Sequence, residues 1–262
     1  MWITRQLTPN FRQEYTIESK RLDSRGEHSL EIFASRDFGE VAMFDERHLL
    51  LQKYLFIESE LLAHTPLCCV PSPSDVLLYD GFNLEIAFEC LKHNVNIHHI
   101  QSDEKTLDSL ISFLPHFHEV RNHKGYTHYK QAIDLEMKKY QVIIADCPLN
   151  QHQIDGLSRM LDKEGILIAR SYHPLLEEER FIAQLKDSAA FFSIVLPFFP
   201  HLSLLNDKSY IFASKRFHPC ADMLLQKIDL LPALRYYNAK IHESAFSLPP
   251  FIFESIKNIA RF

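Results

Sequence analysis

The sequence DVLLYDGFNLEIAFECLKHNVNIHHIQSD, residues 75–103, decides the predicted fold of this chain. Its first apolar run, VLLY, is typical of a strand buried on both faces. Asp80 and Gly81 follow and predict a sharp turn, because glycine permits the φ that such a turn needs. Apolar residues at helical spacing come next, and then a second strand. The stretch therefore predicts a β-α-β unit. Ligands of open α/β sheets bind beyond the carboxyl ends of the strands, so Asp80, Gly81, Gln101 and Asp103 are candidate site residues.

Strands and helices continue to alternate after this unit. The runs at residues 141–146 and 166–169 are apolar and predict two further strands, the first of which ends on an acid. Weaker β-prone runs lie at residues 126–129, 191–198 and 210–213, and we expect the last two to pair antiparallel. This alternation predicts a doubly wound α/β sheet. Helices are expected at residues 53–67, 104–114, 154–161, 177–186 and 250–261.

The beginning of the chain has a different pattern. Three short β-prone runs lie within residues 15–44, and polar turns separate them. Proline residues follow the expected helix that ends at residue 67 and form a linker. We therefore expect a small N-terminal β domain at residues 1–52 and an α/β domain at residues 53–262.

Composition narrows the class of protein. The 262 residues are 46% hydrophobic, which suits a large core, and a net charge of -6 argues against nucleic acid as the main ligand. No run has the length of a membrane span, and the first residues lack the apolar core of a signal peptide, so we expect a cytoplasmic protein. Five cysteines without C-x-x-C spacing and 15 histidines without H-E-x-x-H spacing predict no metal site.

Asp146 is the first candidate for chemistry, because it ends an apolar strand at the ligand-binding edge. A carboxylate there can accept a proton from an amine. An aspartate before Pro148 can equally be a turn or capping residue, and the two interpretations are about evenly matched. The turn after Tyr79 is poor in glycine, which disfavours ATP and NAD and favours a nucleoside without phosphates. An amide such as Gln101 can bind ribose hydroxyls, although plain turn chemistry also explains it.

The most specific stretch is LRYYNAKIHESAFSLP at residues 234–249. It resembles the C-terminal signature of the spermidine synthases, which are polyamine aminopropyltransferases. The resemblance extends to residues 38–41, 58–61, 76–93, 101–104 and 140–147, and the overall pattern is most similar to the short, divergent Helicobacter-type spermidine synthases.

The resemblance implies a Rossmann-like, methyltransferase-type domain behind a small N-terminal β domain, in a homodimer or homotetramer. It implies transfer of an aminopropyl group from decarboxylated S-adenosylmethionine, a co-substrate rather than a cofactor, to putrescine. The products are spermidine and methylthioadenosine. Asp146 is then the implied general base. The implied substrate-binding residues are Asp80, Gly81, Asn83, Gln101, Asp103, His128, Glu58 and Phe199.

The sequence departs from the family pattern within this site. Of the glycine-rich turn only Gly81 is retained, and the second aspartate of the catalytic motif is Leu149. Glu58 and Phe199 stand at positions that match tyrosines, and the loop after Asp146 is short. We expect Glu58 to replace the lost carboxylate and hold an ammonium group.

Two functions from different classes remain open. The first is a working aminopropyltransferase, which the retained Asp146 and the intact tail signature favour. The second is a catalytically impaired relative that binds polyamine or nucleoside or acts as a structural subunit, which the lost glycines and the lost aspartate favour. A methyltransferase of similar fold is a third candidate, and the tail signature speaks against it. We favour the enzyme, because the changes within the site replace one polar group by another more often than they remove a polar group.

Overall fold

A computed structural model describes residues 1–135, 138–202 and 208–261, except for the side chains of residues 133 and 134. The N-terminal region contains an antiparallel pair of strands and a four-stranded antiparallel sheet in chain order. The three runs predicted there overlap three of the six strands, whereas the strands Trp2–Thr8, Ser19–Arg25 and His48–Leu51 are not predicted. Ser19–Arg25 buries no side chain and so lacks a hydrophobic signal. The strands are β1 (Trp2–Thr8), β2 (Phe11–Thr16), β3 (Ser19–Arg25), β4 (Ser29–Ser35), β5 (Gly39–Phe44) and β6 (His48–Leu51).

The main sheet has seven strands in the order β12-β13-β11-β10-β7-β8-β9. The five strands from β11 to β9 are parallel, and β13 and β12 pair antiparallel at one edge. The predicted α/β fold with antiparallel final strands is therefore confirmed, as a mixed sheet. Its strands are β7 (Asp75–Tyr79), β8 (Asn96–Ile100), β9 (Tyr126–Tyr129), β10 (Tyr140–Pro148), β11 (Leu161–Arg170), β12 (Ile194–Phe198) and β13 (Tyr210–Ser214).

The longer predicted helices are present with shifted ends, whereas the predicted helix at residues 104–114 is only one turn, α3, followed by further turns. The helices α4, α7 and α8 are not predicted, because five to seven residues are too few to establish a helical period. The helices are α1 (Leu55–Leu67), α2 (Glu85–Leu91), α3 (Glu104–Asp108), α4 (Phe117–Arg121), α5 (Gln151–Met160), α6 (Glu178–Ala189), α7 (Leu225–Asp229), α8 (Ala239–Ala245) and α9 (Pro250–Ile256).

Alternate residues of the central strands pack against two separate apolar layers. Val76 and Ile144 belong to the cluster that contains α1 and α2, whereas Leu77 and Ile143 belong to the cluster that contains α5 and α6. Both faces of the sheet are therefore covered, which explains the continuous apolar runs in the sequence. No helix in the described ranges is long and apolar enough to cross a membrane. The division between residues 52 and 53 stays a prediction.

Candidate active site

Asp146 lies at a break in the pairing of the two central strands. Ala145 pairs with Ala169, but Pro148, three residues later, pairs with Arg170. The extra residues bulge from the strand, as bulges next to active sites commonly do. On its other side, β10 pairs with β7 as far as Tyr79. The carboxylate of Asp146 is thereby brought next to the turn after β7, as the sequence predicts.

The glycine of that turn leaves room for Asp146. A Cβ atom on Gly81 would lie 2.8 Å from the Cβ of Asp146, closer than packed carbon atoms allow. His99 fixes the turn, because its Nε2 donates to the Gly81 carbonyl at 2.8 Å and its Nδ1 accepts from the Tyr126 hydroxyl at 2.8 Å. Burial lowers the pKa of His99 to about 3, so the ring is neutral as this pattern requires. Glycine is therefore required at position 81, because a side chain there would collide with Asp146.

Asp146 is ion-paired with Arg170, a residue that the sequence does not single out. Nη2 of Arg170 donates to Oδ1 of Asp146 and also to Nε2 of His48, at 3.1 Å. Burial raises the pKa of Asp146 above its ordinary value, although Arg170 opposes this rise. Burial alone would lower the pKa of Arg170, but the Asp146 and Glu58 carboxylates raise it, so its charge is retained.

Glu58 forms the second acid–cation pair of the site. It lies on α1, its side chain is buried, and its carboxylate accepts a hydrogen bond from the hydroxyl of Tyr210. Nζ of Lys208 lies 3.3 Å from its other oxygen and donates to the backbone carbonyl of Leu49 at 3.2 Å. The site therefore contains two acid–cation pairs, Asp146 with Arg170 and Glu58 with Lys208.

The residues that follow the carboxyl end of β8 are joined by hydrogen bonds. Gln101 is 1% exposed, and its Oε1 accepts from the backbone N–H of Asp103 at 2.9 Å. The carboxylate of Asp103 caps α3 through the N–H of Thr106 and also accepts from the N–H of His28, each at 3.0 Å. These hydrogen bonds hold the pKa of Asp103 below its ordinary value, although burial opposes them. Asp103 therefore ties an N-terminal hairpin to the main sheet.

Asp80 and His128 complete this side of the edge. Oδ1 of Asp80 lies 3.4 Å from the amide nitrogen of Gln101, and Nε2 of His128 donates to the Gln101 carbonyl at 2.9 Å. Asp80 has a φ of 52°, the left-handed conformation that is uncommon outside glycine. Gln101 thus joins three other predicted residues, Asp80 after β7, Asp103 after β8 and His128 on β9.

Asn83 and Phe199, two further predicted substrate-binding residues, line two different cavities. The side chain of Asn83 is buried, donates to the hydroxyl of Ser59 at 3.2 Å and accepts from the N–H of Glu85 at 3.2 Å. It shares a cavity of about 10 Å³, the size of one water molecule, with Gly81 and Asp146. Phe199 lines a different cavity of about 450 Å³ that also contacts Lys208, and Asp146 is not among that cavity's described lining residues.

Leu149, where the resemblance implies a second aspartate, is buried in the apolar cluster that contains α5 and α6. It therefore offers no polar group to a diamine. The sequence rule that ligands bind at strand ends could have found Arg170, which directly follows the predicted strand at residues 166–169. No comparable pattern marks Lys208, which follows a stretch without periodicity.

The C-terminal signature supports the helix that carries Glu58. The carboxylate of Glu60 accepts three backbone N–H groups, those of Arg235, Tyr236 and Tyr237, at 2.7 to 2.9 Å. This fixes α1 against the tail, so the signature acts on the site through the scaffold. Within the described ranges no group of three or more His, Cys, Asp or Glu side chains has the geometry of a metal site, and the absence of a metal stays a prediction.

Comparisons with known proteins point to one family. The family model described as "Spermine/spermidine synthase domain" matches residues 55–223, and that described as "Spermidine synthase tetramerisation domain" matches residues 1–47. The polyamine aminopropyltransferase of Helicobacter pylori (strain G27) is 49% identical over 259 residues, and that of Helicobacter acinonychis (strain Sheeba) is 48% identical over 258 residues; in each case 98% of both chains is covered.

Solved structures agree on the fold. The spermidine synthase from Thermotoga maritima superposes with a TM-score of 0.91 at 22% identity, covering 98% of this chain and 94% of the other. A spermidine synthase in complex with the transition state analogue AdoDATO gives a TM-score of 0.91 at 21% identity, with 98% and 95% coverage. At these identities the likeness concerns the fold alone.

Proposed function

Because the chain belongs to the spermine/spermidine synthase family and is a polyamine aminopropyltransferase, we propose that its substrates are decarboxylated S-adenosylmethionine and putrescine. The products are then spermidine and methylthioadenosine. The observation that carries this proposal is the position of Asp146, a buried carboxylate at the carboxyl edge of the sheet beside the Gly81 turn.

The reaction needs a neutral amine. Its nitrogen forms a bond to the methylene carbon next to the sulfonium, the carbon–sulfur bond breaks, and the electron pair stays on sulfur in methylthioadenosine. The nitrogen then loses one proton, which the carboxylate of Asp146 accepts. Burial raises the pKa of Asp146, which makes it a stronger base than an exposed aspartate.

We assign the opposite ammonium group of putrescine to Glu58. Its carboxylate is buried and already holds a cation, the side chain of Lys208, so an ammonium group can take that place. We assign the aminopropyl donor, decarboxylated S-adenosylmethionine, to the other side of Asp146, where β7 and β8 end. The proposed contacts with either substrate are Asp80, Gly81, Asn83, Gln101, Asp103, His128, Glu58 and Phe199.

A catalytically impaired relative is the second candidate, and one observation favours it. Arg170 occupies the carboxylate of Asp146, where the family mechanism needs an amine. Such a protein binds polyamine or nucleoside without turnover. For the assembly, the match of residues 1–47 to the tetramerisation domain supports an oligomer, and we propose a homotetramer or homodimer in the cytoplasm without nucleic acid or membrane partners.

Turnover separates the two candidates. Purified protein is incubated with decarboxylated S-adenosylmethionine and putrescine, and spermidine and methylthioadenosine are quantified by mass spectrometry. The transferase predicts both products in equal amounts. Saturable binding of methylthioadenosine without either product, over a range of diamines, would instead establish the impaired relative.

A further inference from the structure

The turn that joins β3 and β4 docks on the segment after β8, next to the place that we assign to the donor. We call residues 25–28 of this turn the hairpin tip. The hydroxyl of Ser102 donates to the carboxylate of Glu27 at 2.9 Å. Nζ of Lys105 donates to the backbone carbonyl of Arg25 at 3.0 Å. The N-terminal region is therefore bound directly to the ligand-binding edge of the main sheet.

The hairpin tip covers the carboxylate of Asp103. One oxygen of this carboxylate accepts from the N–H of Thr106 and the other from the N–H of His28, each at 3.0 Å. Gly26 lies against the same group, because a Cβ atom on Gly26 would be 3.0 Å from both oxygens. Asp103 is only 4% exposed, so a ligand cannot contact its carboxylate while the tip is in place.

The neighbouring amide of Gln101 is covered as well. Gln101 is 1% exposed, and its Oε1 already accepts from the N–H of Asp103. Both residues are proposed substrate contacts, and both follow the strand end where ligands of open α/β sheets bind. A ribose that binds them has to replace hydrogen bonds that the protein makes to itself. The hairpin tip and the ligand therefore compete for one site.

The hairpin tip can leave this site without opening the core. Its strand β3 is at the edge of the four-stranded sheet, and none of the side chains of β3 is fully buried. Glu27, Ser102 and Lys105, which join the tip to the main sheet, are all exposed. Hydrogen bonds between exposed groups contribute little to stability, because water replaces them. Lifting of the tip therefore costs far less than unfolding.

We propose that the hairpin tip is a lid on the nucleoside site. When the lid is closed, the N–H of His28 occupies Asp103, and when it opens a ribose hydroxyl takes the place of this N–H. The free protein is mainly closed, and the bonds of Ser102 and Lys105 to the tip form a latch that weakens nucleoside binding. This inference deepens the proposed function and rests on it in one respect, that the ligand is a nucleoside.

The direction of the effect distinguishes a latch from a substrate contact. Loss of a substrate contact weakens binding, whereas loss of a latch raises the open fraction and tightens binding. Calorimetric titration measures the binding of methylthioadenosine to intact wild-type protein, Ser102→Ala and Lys105→Gln. We expect about two- to tenfold tighter binding in each variant, which corresponds to one hydrogen bond. Ser109→Ala is the matched control and keeps the wild-type affinity, because the hydroxyl of Ser109 donates to the Lys105 carbonyl rather than to the tip.

Hydrogen exchange provides a second readout that does not depend on a variant. Exchange of the backbone N–H groups of residues 24–29 is followed by mass spectrometry, with and without saturating methylthioadenosine. A ligand that binds beside a fixed loop slows exchange there. The lid predicts faster exchange on binding, because the N–H of His28 is released from Asp103.

The outcomes separate the lid from the transferase. Methylthioadenosine binding that is equal or weaker in both latch variants, slower exchange of the hairpin tip on binding, or no binding in any of the four proteins overturns the lid. Spermidine formation together with any of these results leaves the proposed function standing. Tighter binding in both variants of a protein that makes no spermidine supports the lid and refutes the transferase alone.

Discussion

The guanidinium of Arg170 donates to the carboxylate of Asp146 where β10 and β11 end, with Asp146 buried and Arg170 half-buried. The proposed base is therefore held by a cation of the protein itself. A substrate amine has to compete with this cation, and the strength of the pair sets how readily Asp146 accepts a proton.

Arg170→Gln should move the acidic limb of the pH profile of kcat/KM for putrescine to higher pH. The Arg170 cation stabilises the charged form of Asp146, so its removal raises a pKa that burial has already raised. Activity is lost as the pH falls through that pKa, and the loss should begin about one pH unit higher than in the wild type. Arg159→Gln serves as the control, and an acidic limb that does not move in Arg170→Gln would show that the pair does not tune Asp146.

Glu58 and Lys208 should affect putrescine binding in opposite directions. Glu58→Gln removes the carboxylate that we assign to the ammonium group, so KM for putrescine should rise about tenfold with kcat little changed. Lys208→Gln removes the competing cation, so KM should fall. Steady-state kinetics of both variants, with the exposed Glu254→Gln as control, measures this. Equal KM values in all four proteins would remove Glu58 from the site.

Gly81→Ala should impair turnover through Asp146. The added Cβ would meet the Asp146 Cβ at 2.8 Å, so one of the two has to move. Misplacement of a catalytic group by about 1 Å can cost roughly 100-fold in rate, and we expect a loss of kcat of that order. The matched control is Gly156→Ala in α5, where a Cβ meets nothing within 4 Å and should stabilise the fold by about 0.5 to 1 kcal/mol. Wild-type kcat in Gly81→Ala would contradict the steric account.

Stability should depend on pH through His99. Burial lowers its folded pKa to about 3, whereas an unfolded histidine titrates near 6.5. The unfolded state therefore binds the extra proton first, and stability is lost as the pH falls below the unfolded value. His99→Gln should reduce the slope of the free energy of unfolding by about 1.4 kcal/mol per pH unit between about pH 6 and pH 4. Urea unfolding at several pH values checks this.

The exposed His152 of α5 provides the matched control for that slope, and His152→Gln should leave it unchanged. Glutamine can still donate to Gly81 and accept from Tyr126, so the variant tests the charge more than the contacts. Identical slopes in the wild type and His99→Gln would contradict the assignment.

The sequence predicts where the site lies better than how its charges pair. The rule of strand ends correctly brings Asp80, Gly81, Gln101 and Asp146 to one edge, because strand direction and apolar runs are local properties. Whether Asp146 is free or paired depends on its neighbour in the sheet, Arg170, and sheet pairing is not local.

The capping contact of Asp103 is also not predicted from the sequence. Asp103 is predicted as a substrate contact, and its carboxylate also accepts from the backbone N–H groups of Thr106 and of His28. His28 lies in an N-terminal hairpin, so this second contact depends on how distant parts of the chain pack. The tail signature is recognisable as a pattern, but its physical role, three N–H groups on Glu60, becomes evident only when the tail packs on α1.

The most direct test of the central claim, that Asp146 is the base of an aminopropyl transfer, is the rate of spermidine formation by Asp146→Asn. Asparagine keeps the size and loses the proton acceptor, so kcat should fall by a factor of about 100 to 10,000 at unchanged fold. Asp155→Asn on α5 should retain the wild-type rate. Spermidine formation at the wild-type rate in Asp146→Asn would contradict the claim and leave the base elsewhere.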